Sequence, residues 1–185
     1  MVGKKNIVFG FIYLVFTAAL GLVMVDKYDD YGAAVQEKQS AVGRLQQLQT
    51  DDFEEMLEPL SGEEIARANT AGILSFNKLF NSQSEIDAIK GGAHAHGNLE
   101  SLLNIAVGLV LGFLAINVIF KQVISWIFIA GALLHSGMLY LETLFGMGWA
   151  GAVLNTGIGP FLILIGLALA GIAAAIGFRG EPVKD

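Results

Sequence analysis

The chain has 185 residues, 54% hydrophobic and only 15% charged, with a formal net charge of −6, three histidines and no cysteine. That composition excludes an ordinary soluble domain, and the missing thiols exclude disulfide and thiolate chemistry. The charge between the apolar runs is acidic, which speaks against nucleic acid as a partner.

Apolar runs of roughly 18 residues or more read as membrane-spanning helices. In chain order the first covers residues 6–25. It follows a basic "MVGKK" start, and its core is long for a secretory signal with no A-x-A site after it. It is expected to be a retained helix. Residues 26–92 form an acidic insertion. Val35, Val42, Leu45 and Leu48 recur there at helical spacing, Pro59 interrupts, and "SGEE" at Ser61–Glu64 has a capping-box pattern, as does "SQSE" at Ser82–Glu85. The expectation is a small helical cap that leans on the membrane helices or docks on a partner, because so short a segment cannot bury a large core alone.

The cores of the next two spans are residues 102–120 and 123–141, and a fourth span covers 153–178. Lys121 between the second and third, and Arg179 and Lys184 after the fourth, share a side with the basic N-terminus. By the positive-inside rule that side is cytoplasmic. The expected architecture is an all-α integral membrane protein of a bacterial inner membrane. It is a four-transmembrane-helix bundle with an extracytoplasmic helical insertion between helices one and two. Residues 93–178 carry the polar site, and 179–185 form a cytoplasmic tail.

The stretch "GGAHAHGNLESLLNIAVG", residues 91–108, places two histidines, two asparagines and a glutamate at the mouth of the second span. With the turn of the helix two–three hairpin at Lys121–Gln122, Glu100 stands level with Glu142, Asn104 near Met138, and His135 near Val107. The polar set His94, His96, Asn98, Glu100, Asn104, His135, Tyr140, Glu142 and Asn155 then gathers in the outer half. Ionisable residues inside a membrane usually face the bundle interior and mark a site. His96, Glu100 and Asn104 share one helical face; His94, Gly108 and Gly112 share another. His94 and His96 lie about 200° apart in helical phase, so they are expected to do different jobs.

Plainer readings stand beside these. Glu100 and Glu142 also suit helix ends near headgroups, Asn104 an interhelical hydrogen bond, and Gly108 and Gly112 close helix packing. Zinc needs three or four close ligands, for which an H-x-H pair is weak support. A haem needs one axial histidine and a slot of small residues, and the His94 face with Gly108 and Gly112 offers both. A quinone headgroup also suits an outer polar pocket.

"AHAHGNLESLLNIAVG" resembles the second helix of the styrene oxide isomerase family, small four-helix membrane proteins that bind haem b. Ala93 and His94 match that family's Ala-His pair, and Ile105, Ala106 and Val107 match its "IAV"-like run. "GMLYL", Gly137 to Leu141, resembles its Gly-aromatic-Tyr-Leu segment. The resemblance implies that His94 is the axial metal ligand, that the iron acts as a Lewis acid isomerising an epoxide to an aldehyde, and that Tyr140 positions the substrate. It also implies trimers with haem between protomers. Where the family has asparagine six residues after the ligand, this chain has Glu100, which can ligate, take protons or bind a cation.

The expected site is therefore Tyr140, Glu100 and Asn104 for chemistry, with His94, His96, Gly108, Gly112 and His135 around a haem b. The alternative function is a haem-carrying or structural accessory subunit of a larger membrane oxidoreductase, docked through residues 26–92.

Overall fold

A computed structural model describes residues 1–56 and 58–183. The first helix, α1, runs Lys4–Thr50 as 47 continuous residues, well past the expected end at Val25. No proline interrupts it, so its backbone ladder has no reason to stop where apolar sequence gives way to polar. After Thr50 the chain turns through Asp52 and Phe53, both at positive φ, and Glu54–Glu55 (β1) pairs antiparallel with Glu58–Pro59 (β2). The next helix, α2, covers Gly62–Asp87. A π-helical turn (π1, Ala88–His94) with a break at Gly92 leads into α3, Ala95–Leu111. Then come α4 (Val118–Ala132), a second π turn (π2, Leu133–Gly137), α5 (Met138–Phe145), α6 (Gly148–Leu154) and α7 (Ile158–Gly177). Lys184, named above as a basic flank, lies outside the described residues.

Two compact units emerge, Leu22–Asp87 and the remainder of the chain, with α1 contributing to both. In the first, α2 packs on the later part of α1: a Cβ on Gly72 would lie 2.7 Å from the Leu45 side chain. Lys27–Glu85 and Lys78–Glu37 ion pairs flank the contact. All four of these side chains are largely exposed, so the pairs add little stability. Ser61 and Glu64 form the expected capping box. The Ser61 backbone N–H and hydroxyl donate to Glu64 Oε2 at 2.8 and 2.7 Å, and Glu64 N–H donates back to Ser61 Oγ at 3.3 Å. Ser82–Glu85 starts no helix. It lies inside α2, where Ser82 Oγ donates to the Lys78 carbonyl of the preceding turn, at 3.0 Å.

The Ser61 hydroxyl bond, and after it the backbone bond, hold the Glu64 carboxyl below its ordinary value of 4.5. The stabilisation it gives α2 is therefore present above 4.5 and lost as pH falls through the lowered value of the folded state. Amide exchange of the first turn of α2 is expected to quicken on that descent, and Ser61→Ala, which keeps only the backbone N–H bond to Glu64, is expected to weaken the pH dependence.

In the other unit the core lies between α3, α4 and α7, where Val107, Leu111, Ile124, Phe128, Ile163 and Ala173 are buried together. Small residues set the helix spacing. A Cβ on Gly131 would lie 2.7 Å from Ile163, and one on Gly159 would lie 2.6 Å from the backbone at Leu134–His135. Gly146 ends α5 and Gly157 precedes α7, at φ 61° and 68°, where a side chain would be strained.

Among the described residues three helices are long and apolar enough to cross a membrane: α1, the continuous Val118–Phe145 stretch and α7. The expected span 102–120 is cut short, since α3 ends at Leu111 after 17 residues. The hairpin turn is Gly112–Asn117, not Lys121–Gln122. Asn117 caps α4 by accepting from Ile119 N–H at 2.8 Å. The chain after α7 pairs with the turn, Ala115 N–H donating to Gly177 O and Arg179 N–H to Phe113 O at 2.7 and 2.8 Å. These partners let an apolar stretch leave the helix without stranding its backbone groups.

Candidate functional site

Moving the turn re-registers every polar residue on the hairpin. Glu100 does not stand level with Glu142. It meets His135 and Ser136, about two helical turns away from the expected partner. Asn104 likewise reaches the Phe128 carbonyl, not Met138.

Glu100 is only 3% exposed. Its Oε1 lies 2.5 Å from His135 Nδ1, and its Oε2 accepts from Ser136 Oγ at 2.5 Å. Ser136 Oγ lies in turn 2.9 Å from the hydroxyl of Tyr13 on α1. With Glu100 ionised, the Tyr13, Ser136 and His135 donors all point toward one carboxylate. His135 and Ser136 are both in the π turn, whose extra residue places the two side chains on the same carboxyl group. The ring of His96, an exposed residue, lies against that of His135 with centroids 4.6 Å apart. The contacts thus run in the order His96, His135, Glu100, Ser136, Tyr13, from exposed His96 through buried Glu100 and Ser136 to half-buried Tyr13.

One turn along α3 the polar line continues as amides. Asn104 Nδ2 donates to the Glu100 carbonyl at 3.0 Å, and its Oδ1 accepts from Asn6 Nδ2 at 3.0 Å. Asn6 also donates to the Ser125 carbonyl and accepts from Ser125 Oγ. A buried Asn6–Asn104–Ser125 cluster thus ties α1, α3 and α4 together.

His94 belongs to a separate group. Its Nδ1 donates to the Thr17 carbonyl at 2.9 Å, and Asn98 Nδ2 lies 3.4 Å from Nε2. Thr17 Oγ1 closes the ring by donating to Asn98 Oδ1 at 2.8 Å. The two histidines therefore face different neighbours, α1 for His94 and π2 for His96.

The haem expectation divides on these facts. The His94 ring has the tautomer of an axial ligand, with Nδ1–H on a carbonyl, but its Nε2 lone pair faces the Asn98 amide at 3.4 Å. The glycine face does not fit a macrocycle. A Cβ on Gly108 would lie 2.6 Å from Gly3 O and 2.7 Å from Ile7, and Gly112 faces Met1. Gly10 and Thr17 close on the same face of α3 at Ser101–Ile105 and Gly97. The small residues of α3 seat α1, so Gly108 and Gly112 are packing glycines and leave no slot there for haem b. Among the described residues no group of three or more His, Asp or Glu side chains is placed to hold a metal ion.

Tyr140 makes no hydrogen bond into the cluster among the described contacts. Its ring packs 6.2 Å from that of Phe145, on the side of Tyr13. Glu142 lies on Gly151 of α6, away from Glu100. Sequence reasoning missed Asn6, Tyr13, Thr17 and Ser136. The first three had a signal: spacings of seven and four residues put them on one face of an otherwise apolar helix.

Comparison with family models, with curated proteins and with solved structures gives no match to this chain.

Proposed function

We propose that this chain is an integral membrane protein, a four-helix bundle with an extracytoplasmic helical insertion, that takes up and releases a proton at the Glu100–His135 pair. One observation carries this reading. A buried carboxylate is bonded at 2.5 Å to an imidazole whose ring touches an exposed second imidazole. Such intramembrane carboxylate–histidine chains mark proton relays. His135 passes protons inward from the side where the exposed His96 packs on it, and Glu100 holds one within reach of Ser136. The amides of Asn104 and Asn6 do not continue the relay, since an amide does not readily give up a proton. The pair is a terminal proton store, as suits an accessory subunit beside a larger membrane redox enzyme.

The groups facing the pair are Tyr13 from α1, His96 from α3, and Ser136 from π2, with Tyr140 of α5 next to Tyr13. A carboxylate is a stronger acceptor for the His135 Nδ1–H than an amide oxygen is, so the Nδ1–H proton resonance of His135 is expected to move upfield in Glu100→Gln. An unchanged resonance in that variant would show that the two groups are not bonded and sink the reading.

A haem-carrying accessory subunit is the second reading, favoured by the His94 tautomer alone. It predicts a Soret absorbance band in native protein that His94→Ala abolishes and His96→Ala does not. Epoxide isomerisation, implied by the family resemblance, would appear as turnover of a small aryl epoxide by the purified protein.

A further inference from the structure

At the opposite end of the bundle from His96, a groove of about 630 Å³ opens between α1 and α4. Its walls are apolar, with Val8, Phe9, Trp126 and Ile129 among them, and its end carries Lys4, Lys5 and Gln122. Lys5 Nζ sits 4.1 Å from the centroid of the Trp126 ring and donates to Gln122 Oε1, so the ammonium is held in place. That bond uses one of its three donor hydrogens. Lys4 is exposed beside it. Two cations and a tryptophan at the mouth of an apolar furrow match a headgroup level, with hydrocarbon beyond. Trp126 and Val8 are themselves substantially exposed, as lipid-facing side chains are.

We propose that this groove binds an anionic phospholipid, its phosphate on Lys4 and Lys5 and an acyl chain along Val8, Phe9, Trp126 and Ile129. Charge complementarity selects the occupant. A zwitterionic lipid fills the furrow equally well but brings its own cation toward the two lysines. Each lysine near the headgroup is worth about fivefold in preference for an anionic lipid. The proposal rests on the membrane reading above and not on the Glu100 pair.

The test uses full-length protein with Trp149→Phe, which leaves Trp126 as the sole tryptophan, in nanodiscs containing phosphatidylcholine and phosphatidylglycerol in equal amounts. One lipid at a time carries brominated chains. Quenching of Trp126 by brominated phosphatidylglycerol is expected to exceed that by brominated phosphatidylcholine severalfold. Lys4→Gln should cut the preference about fivefold, and Lys4→Arg should keep it. Because Lys4 is exposed, neither change threatens the fold. Equal quenching by the two lipids, or an unchanged preference in Lys4→Gln, overturns the groove while leaving the membrane reading intact. Absence of quenching by either lipid overturns both.

Discussion

Glu100→Ala is expected to destabilise the α1–α3–α4 unit by about 2–6 kcal/mol, the cost of leaving two buried donors without an acceptor at about 1–3 kcal/mol each. Two observations set that size. Glu100 is buried, and it accepts from His135 and Ser136, which would both face an empty space without it. Glu100→Gln should cost less, about 1–3 kcal/mol. The amide oxygen still accepts one bond, whereas its NH₂ meets the other donor. Chemical unfolding in detergent, followed by the tryptophan signal, measures the order. Equal stability of wild type and Glu100→Ala would mean the contacts at Glu100 hold nothing together.

The second large effect is at Gly108. Any side chain there meets the backbone of Gly3 and the side chain of Ile7. Backbone cannot rotate away, so Gly108→Leu must push α1 off α3. Overpacking of this kind costs about 1–3 kcal/mol, and loss of the Asn6–Asn104 bond would follow as α1 moves. Gly171→Leu is the matched control on α7, because nothing lies within 4 Å of a Cβ built there. If Gly108 lined a cofactor slot instead, Gly108→Leu would leave stability intact and remove only the cofactor. The two outcomes separate helix packing from cofactor binding, whatever the cofactor.

Helical periodicity and run length made the apolar helices visible in the sequence, and the Ser61–Glu64 cap with them. The α3–α4 turn was hidden for a physical reason. Phe113, Leu114, Ala115 and Ile116 are as apolar as the helices on either side. Their backbone is satisfied by residues about 65 positions later in the chain, around Gly177 and Arg179. No local pattern reports a partner that distant. Misplacing that turn by several residues displaced every depth comparison, and so joined Glu100 to Glu142 when it belongs with His135. The π turns were hidden as well, since one extra residue in a helical turn leaves no mark on composition. What survived was helical phase, which depends only on local spacing. It separated His94 from His96, and it put Glu100 and Asn104 on one face.

Glycine on α3 shows how a correct pattern acquires the wrong occupant. The small-residue face of Gly97, Ser101 and Gly108 does accommodate something flat and close. It is the first helix, through Thr17, Gly10 and Gly3. Polar residues of that helix, Asn6, Tyr13 and Thr17, line up with the glycines and complete the clusters that α3 begins.

The most direct measurement is the infrared difference spectrum of membrane-embedded protein between alkaline and acid pH. If Glu100 stores the proton, a carboxylic acid C=O band grows on acidification, is absent in Glu100→Gln, and shifts in His135→Asn. The same band at full size in Glu100→Gln would contradict that storage, because the proton would then reside on another carboxyl group.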